Sequence, residues 1–252
     1  MAEKDNDEAE SPLRENGWSM FDSPTPPHSD TPTLIGRADD LYRRRGEPGA
    51  VSESVAQLTN AGDDCYEVQW RLARSLFFLG QRAGPSAEKE HLHSIAVEAG
   101  QRAVAPDISR VEGHFWLGVN LALFAAASGG LRAALALLRA RRELKKAADI
   151  CESYHGAGPL RVLGRLEHHA PLLLGGSRGR SLGYFERALA TASNSVTMIY
   201  AAELMAAIGD RHRASELLQK VISLQVDPEW EFENLRDRQL AQGMLGKLQA
   251  RS

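Results

Sequence analysis

From Leu34 onward, apolar residues recur every three or four positions, and short runs of glycine, proline or polar residues interrupt them. That period is the signature of amphipathic helices. Ile35, Ala38, Leu41 and Tyr42 predict a short helix ending near residues 46–49, and Val51, Val55 and Leu58 predict a second one to Asn60. Tyr66, Trp70, Ala73 and Phe77 mark a third, with Asp63 and Asp64 placed to cap it. In that helix Arg74 stands where a small residue is expected. Residues 86–105 supply its partner, with Ala96, Gly100 and Ala103 as a small-residue face closed by Pro106. Ser109 is the expected cap of the next helix. After Gly129 and Gly130, a long helix from Leu131 to about Ser153 sets Leu135, Leu138 and Leu144 on one side, and Arg139, Arg141, Arg142, Lys145 and Lys146 on the other. A loop at 154–158 delivers Pro159 to a first helical position, where its missing N–H is harmless. The helix from Pro159 runs to His169, and an apolar loop over 171–177 leads to a further helix at 181–190. No segment combines period-two alternation with β-branched residues, so essentially no sheet is expected.

The helices also pair. Trp116, Leu117 and Gly118 precede Leu121, and Leu160, Leu163 and Gly164 are answered by Ser181, Phe185 and Ala188. A large residue followed by Leu-Gly lets a neighbouring helix lie close, which is the spacing of a tetratricopeptide (TPR) hairpin. Met198, Ala201, Ala202, Met205, Gly209, Ala214, Leu218 and Val221 repeat it without an insertion. Pro228 then opens a last helix with Trp230, Phe232, Leu235, Leu240 and Leu245, suited to cover an exposed end. The expected fold is all-α: a right-handed α–α superhelix of TPR-like hairpins with a C-terminal capping helix, spanning residues 34–252.

Residues 1–33 form a separate region, expected to be disordered. Over 1–32, Glu3, Asp5, Asp7, Glu8, Glu10, Glu15, Asp22 and Asp30 face only Lys4 and Arg14, a net of −6 against −3 for the whole chain of 252 residues. Its acidic, Ser/Thr/Pro-rich composition buries too little apolar surface to fold alone. Trp18, Met20 and Phe21 break the pattern and mark a segment for docking on the folded body or a partner. The remaining charge is too mild to imply nucleic acid. Cys65 and Cys151 suit neither a disulfide framework nor a metal clip, and read as thiols of a reducing compartment. With no basic-then-apolar leader and no apolar run of bilayer length, a cytoplasmic protein without membrane insertion is expected.

The stretches Gly113–Leu121 (GHFWLGVNL) and Tyr154–Arg165 (YHGAGPLRVLGR) resemble the T-component family of tripartite ATP-independent periplasmic (TRAP) transporters, over roughly Ser109 to Leu224. The resemblance implies a helical solenoid with cryptic TPR-like repeats that binds a substrate-capturing component or the ligand itself.

Function is sought on the first helices of each pair, which line the concave face of such stacks. Arg161, Arg165 and His168 fall at i, i+4 and i+7, on one helix face. Two arginines a turn apart repel unless something acidic answers them. Glu203 on the next first helix would serve, and so would a carboxylate or phosphate of a ligand or peptide. Asn120, one turn after Trp116 in an apolar helix, needs a partner: a backbone carbonyl, Tyr154 or a ligand. Phe115, Trp116, Tyr154 and His155 complete the groove candidates. Phe115, Trp116, Leu121 and Phe124 would wall a dry pocket if an apolar solute were held. The basic run at 139–146 lacks interleaved aromatics and reads as a solvated face. The histidines lack metal-ligand spacing, and no phosphate loop or nucleophile motif occurs. A non-enzymatic adaptor without cofactor or metal is therefore expected, with a protein or peptide partner and room for a small acidic ligand.

Overall fold

The computed structural model describes residues 31–250 apart from 63, 226 and 227, so Asp63 and the tail residues Trp18, Met20 and Phe21 lie outside the described residues. Among those described there are eleven α-helices and no strand. They are α1 Thr31–Arg43, α2 Ala50–Asn60, α3 Tyr66–Arg82, α4 Ser86–Val104, α5 Val111–Ala127, α6 Gly130–Ile150, α7 Tyr154–His169, α8 Arg178–Thr191, α9 Ser195–Ala207, α10 Arg211–Ser223 and α11 Glu231–Gln249, with 3-10 turns at Leu172–Leu174 and Pro228–Trp230. Successive helices form hairpins, and the odd-numbered helices also touch one another in series from α1 to α11. This is the packing of an α–α superhelix, with the odd helices as its inner wall.

The Leu-Gly grammar has a direct steric basis. A Cβ on Gly118 would stand 2.7 Å from Leu144 Cγ of α6, and one on Gly164 would stand 2.8 Å from Phe185 Cε1 of α8. Between hairpins, a Cβ on Gly100 of α4 would lie 2.9 Å from Leu117 Cα. Each glycine thus receives a large side chain of the partner helix. Ser181 Oγ adds a 2.7 Å bond to the carbonyl of Gly164. One apolar cluster runs from α1 to α7 and a second from α8 to α11.

Local expectations change at several points. Ser109 does not cap α5: its hydroxyl and N–H are engaged by Asp107, and the helix begins at Val111 after an uncapped Arg110. α3 starts after Cys65, which makes no side-chain capping bond. α6 is rotated from the expected face. It buries Ala136, Ala140, Glu143, Leu144 and Ala147, while Leu135 and Leu138 are half exposed, because small residues allow the close approach to α5 that leucines would block. α11 likewise turns Glu233, Asn234 and Asp237 inward and leaves Phe232, Leu235 and Leu240 outside. Its cap over the last hairpin is made instead by Ala241, Met244, Leu245 and Leu248.

Candidate functional site on the inner face

The loop expected before Pro159 is a tight left-handed turn. His155, Gly156 and Ala157 have φ of 53°, 62° and 57°. Two of the three carry a Cβ, and such residues in that region are strained by about 1–2 kcal/mol each. Backbone strain of this kind persists only where the surroundings over-determine it. The restraint comes from Arg161, one turn into the regular helix. Its Nη1 donates to the carbonyl of Gly156 at 2.8 Å and its Nη2 to that of His155 at 3.3 Å. From below, the Phe115 ring fills the space at Gly158, where a Cβ would come within 2.8 Å of it.

The turn thrusts His155 into an aromatic cage. Its ring centroid is 5.4 Å from Phe115, 5.2 Å from Trp116, 6.0 Å from Tyr154 and 4.7 Å from Trp230. Tyr42 Oη lies 3.3 Å from its Nε2. Desolvation first, then the charges of Arg161, Arg74 and Arg45, push the imidazole well below its usual pKa, so it is neutral at physiological pH.

Three guanidinium groups converge on this cage with different partners. Arg45 makes a bidentate pair with Glu233 of α11, both bonds 2.7 Å and both side chains under a tenth exposed. Arg74 donates to Asp39 at 2.7 Å and lies 3.8 Å over the Tyr42 ring. Among the described residues Arg161 is paired with no carboxylate. Its partners are the two carbonyls, Thr197 Oγ1 at 3.5 Å and His155 Nδ1 at 3.5 Å, and it is 6 % exposed. Burial pushes its pKa down to about 10. The nearby Asp237 is already engaged by Ser195 at 2.7 Å and Arg236 at 2.9 Å.

The remaining candidates separate. Arg165 pairs with Glu203 and lies 4.2 Å over the Tyr200 ring, so the acid weighed for both arginines is taken by one. His168 stacks on His169 with centroids 4.6 Å apart, its Nδ1 meets no hydrogen-bond partner among the described residues, and it is not part of the cage. Asn120 is fully buried and consumed: Nδ2 donates to the carbonyls of Ala73 and Trp116, and Oδ1 meets His93 Nδ1 at 3.0 Å. It does not face the groove. Phe115 and Trp116 form the floor beneath His155, and Trp116 Nε1 donates to Tyr154 Oη at 3.2 Å. Of the four residues expected to wall a dry pocket, Phe115, Trp116 and Leu121 are buried, and Leu121 and Phe124 line an open cleft of about 300 Å³ between α4, α5 and α6.

His155, His168 and Glu167 do not converge into a titratable cluster, because Glu167 is tied to Arg141 and Arg180. Among the described residues no group of three or more His, Cys, Asp or Glu is placed to hold a metal ion. Sequence reasoning missed Tyr42, Arg45, Asp39, Trp230 and Glu233. Arg74 did carry a signal, a long cation in a small-residue position.

A family model described as TRAP transporter T-component matches residues 83–250. No curated protein matches the sequence. Among solved structures, the crystal structure of a thermophilic TPR protein from Thermus thermophilus aligns with a TM-score of 0.63 at 19 % identity, covering 87 % of this chain and 98 % of that one. At that identity the likeness is one of fold.

Proposed function

We propose that this chain, which belongs to the TRAP transporter T-component family, works as a non-catalytic helical-repeat adaptor whose concave face takes up an acidic group carried by a protein tail, a peptide or a small ligand. The observation that supports this most is Arg161. A buried cation ordinarily needs a counter-ion, and among the described residues this one bonds only neutral groups while Arg45, Arg74 and Arg165 each hold a carboxylate. Arginine binds carboxylate or phosphate with two parallel bonds, and the aromatic cage beside it would exclude water from that contact. Cys65 and Cys151, far apart along the chain, suit a reducing cytoplasm.

Affinity capture from cell extract, with Arg161→Gln and Arg165→Ala run beside the unaltered chain, tests the reading. Arg161→Gln should lose the captured partner while Arg165→Ala, whose arginine already has Glu203, keeps it. Equal capture by all three would refute the role of Arg161. A second reading, an accessory protein that docks a solute-binding protein or holds an apolar solute, draws on the family membership and on the open cleft floored by Leu121 and Phe124. It would be favoured by capture that survives Arg161→Gln and is lost on Phe124→Ser.

A further inference from the structure

The rotation of α6 leaves three leucines outside. Leu131, Leu135 and Leu138, spaced i, i+4 and i+7 on one stripe, are 74 %, 53 % and 50 % exposed. At the turn after α7, Leu172 and Leu173 are 86 % and 99 % exposed. The two features meet through Arg141, one turn beyond Leu138. Its Nη1 donates to the carbonyl of Leu174 at 3.2 Å and its Nε to Glu167 at 2.8 Å, which seats the turn against the middle of α6.

The turn is braced rather than slack. Buried Glu167 also receives Arg180 at 2.8 Å, Arg180 bonds the carbonyl of Gly175, and Gly176 N–H closes onto the carbonyl of Pro171 at 3.0 Å. At Gly176 a side chain has no room, since a Cβ would fall 1.9 Å from the Ala170 carbonyl oxygen. Two leucines are therefore held outward by a built structure, and exposed apolar surface of this size marks an interaction site.

The charge around the patch selects the occupant. Arg139, Lys145 and Lys146 on α6, and Arg178 in the first turn of α8, are exposed, while the exposed Arg142 and Arg180 are spent on Glu143 and Glu167. Glu143 is buried against His114 and Arg142, and Glu167 is buried against its arginines, which leaves Asp149 as the exposed acid on α6. A second copy of the same face would meet like charge. Arg139, Lys145, Lys146 and Arg178 outnumber Asp149 and Glu98, which lines the cleft beside Leu135, and an apolar tip with that excess of positive charge matches the interface of an anionic bilayer, where leucines enter the acyl boundary and the basic groups meet phosphates.

We infer that the outer stripe of α6 and the Leu172–Leu173 turn seat this protein on an anionic lipid surface. No described helix is long and apolar enough to cross a membrane, so the contact is peripheral. It is independent of the groove and of Arg161.

The test is flotation of the full chain with vesicles of phosphatidylglycerol and phosphatidylcholine in equal parts, against pure phosphatidylcholine, at low and high salt. The chain should float with the anionic vesicles at low salt, stay behind with the neutral ones, and be released by salt as exposed charges are screened. Leu172→Ser/Leu173→Ser and, separately, Lys145→Glu/Lys146→Glu should each weaken binding about tenfold or more. All four positions are exposed, so far-UV circular dichroism should be unchanged. Absence of anionic-vesicle binding at low salt overturns the inference, as does full binding by the leucine variant. Self-association that the leucine variant abolishes, without vesicle binding, would overturn it too by assigning the patch to contact between copies.

Discussion

Replacing Glu233 with Gln should release α11 from the N-terminal hairpin while the rest of the superhelix stays folded. The Arg45–Glu233 pair joins residues 188 positions apart, across the concave side, with both bonds at 2.7 Å and side-chain exposures of 3 % and 8 %. Glutamine keeps the shape but takes away the carboxylate that Arg45 holds with two bonds, a loss of about 3–5 kcal/mol when one partner of a buried ion pair is removed. Superhelices open locally, so the effect belongs at the start of α11 and not in global unfolding. Hydrogen exchange of residues 231–238 should accelerate by roughly 100- to 4,000-fold, given 1.4 kcal/mol per tenfold. Arg45→Met with Glu233→Met should recover most of the protection, because Tyr42 and Trp230 already surround the pair with apolar rings and a well-packed apolar pair of similar volume often replaces a buried ion pair without loss. Exchange within threefold of the unaltered chain in Glu233→Gln, or a double-mutant coupling energy below about 0.5 kcal/mol, would refute the reasoning.

Gly164→Ala should cost about 1–3 kcal/mol by forcing a methyl against the Phe185 ring, and Phe185→Leu in the same chain should restore part of it; thermal melts of the three variants decide. A stability curve against pH should fall as the medium is acidified below about 6.5. There the unfolded chain takes up protons that His155 and His93, held below their usual pKa by burial, refuse in the native state. His155→Asn, a residue that tolerates the left-handed backbone, should make that fall shallower in denaturant titrations, and an unchanged slope would remove His155 from the account.

Much of the superhelix was legible because its cause is local. Glycines at fixed offsets from large residues announce close helix contacts, and Gly118 and Gly164 meet Leu144 and Phe185 as that spacing demands. Helix faces were less legible where two patterns compete. In α6 both a leucine stripe and an alanine stripe are present, and distance of approach to α5 decides for alanine. The cage around His155 was half visible. Arg161, His155, Phe115, Trp116 and Tyr154 lie on stretches with recognisable motifs, but Tyr42, Arg45 and Glu233 come from remote ends of the chain that only the curvature brings together. Tyr42, Arg45 and Arg74 also precede the 83–250 match, so the cage is completed by residues outside it. The division of labour between Arg161 and Arg165 was not readable either, since periodicity places both on one face and cannot say which of them Glu203 reaches.

Isothermal titration of a captured partner into the unaltered chain and into Arg161→Gln measures the groove's recognition of an acidic group without intermediaries. A hydrogen bond to a charged group contributes about 1.5–3 kcal/mol, so the affinity should fall roughly 10- to 150-fold while helicity is retained. An affinity within threefold for the two proteins would mean that Arg161 braces the left-handed turn at 155–157 and does nothing more.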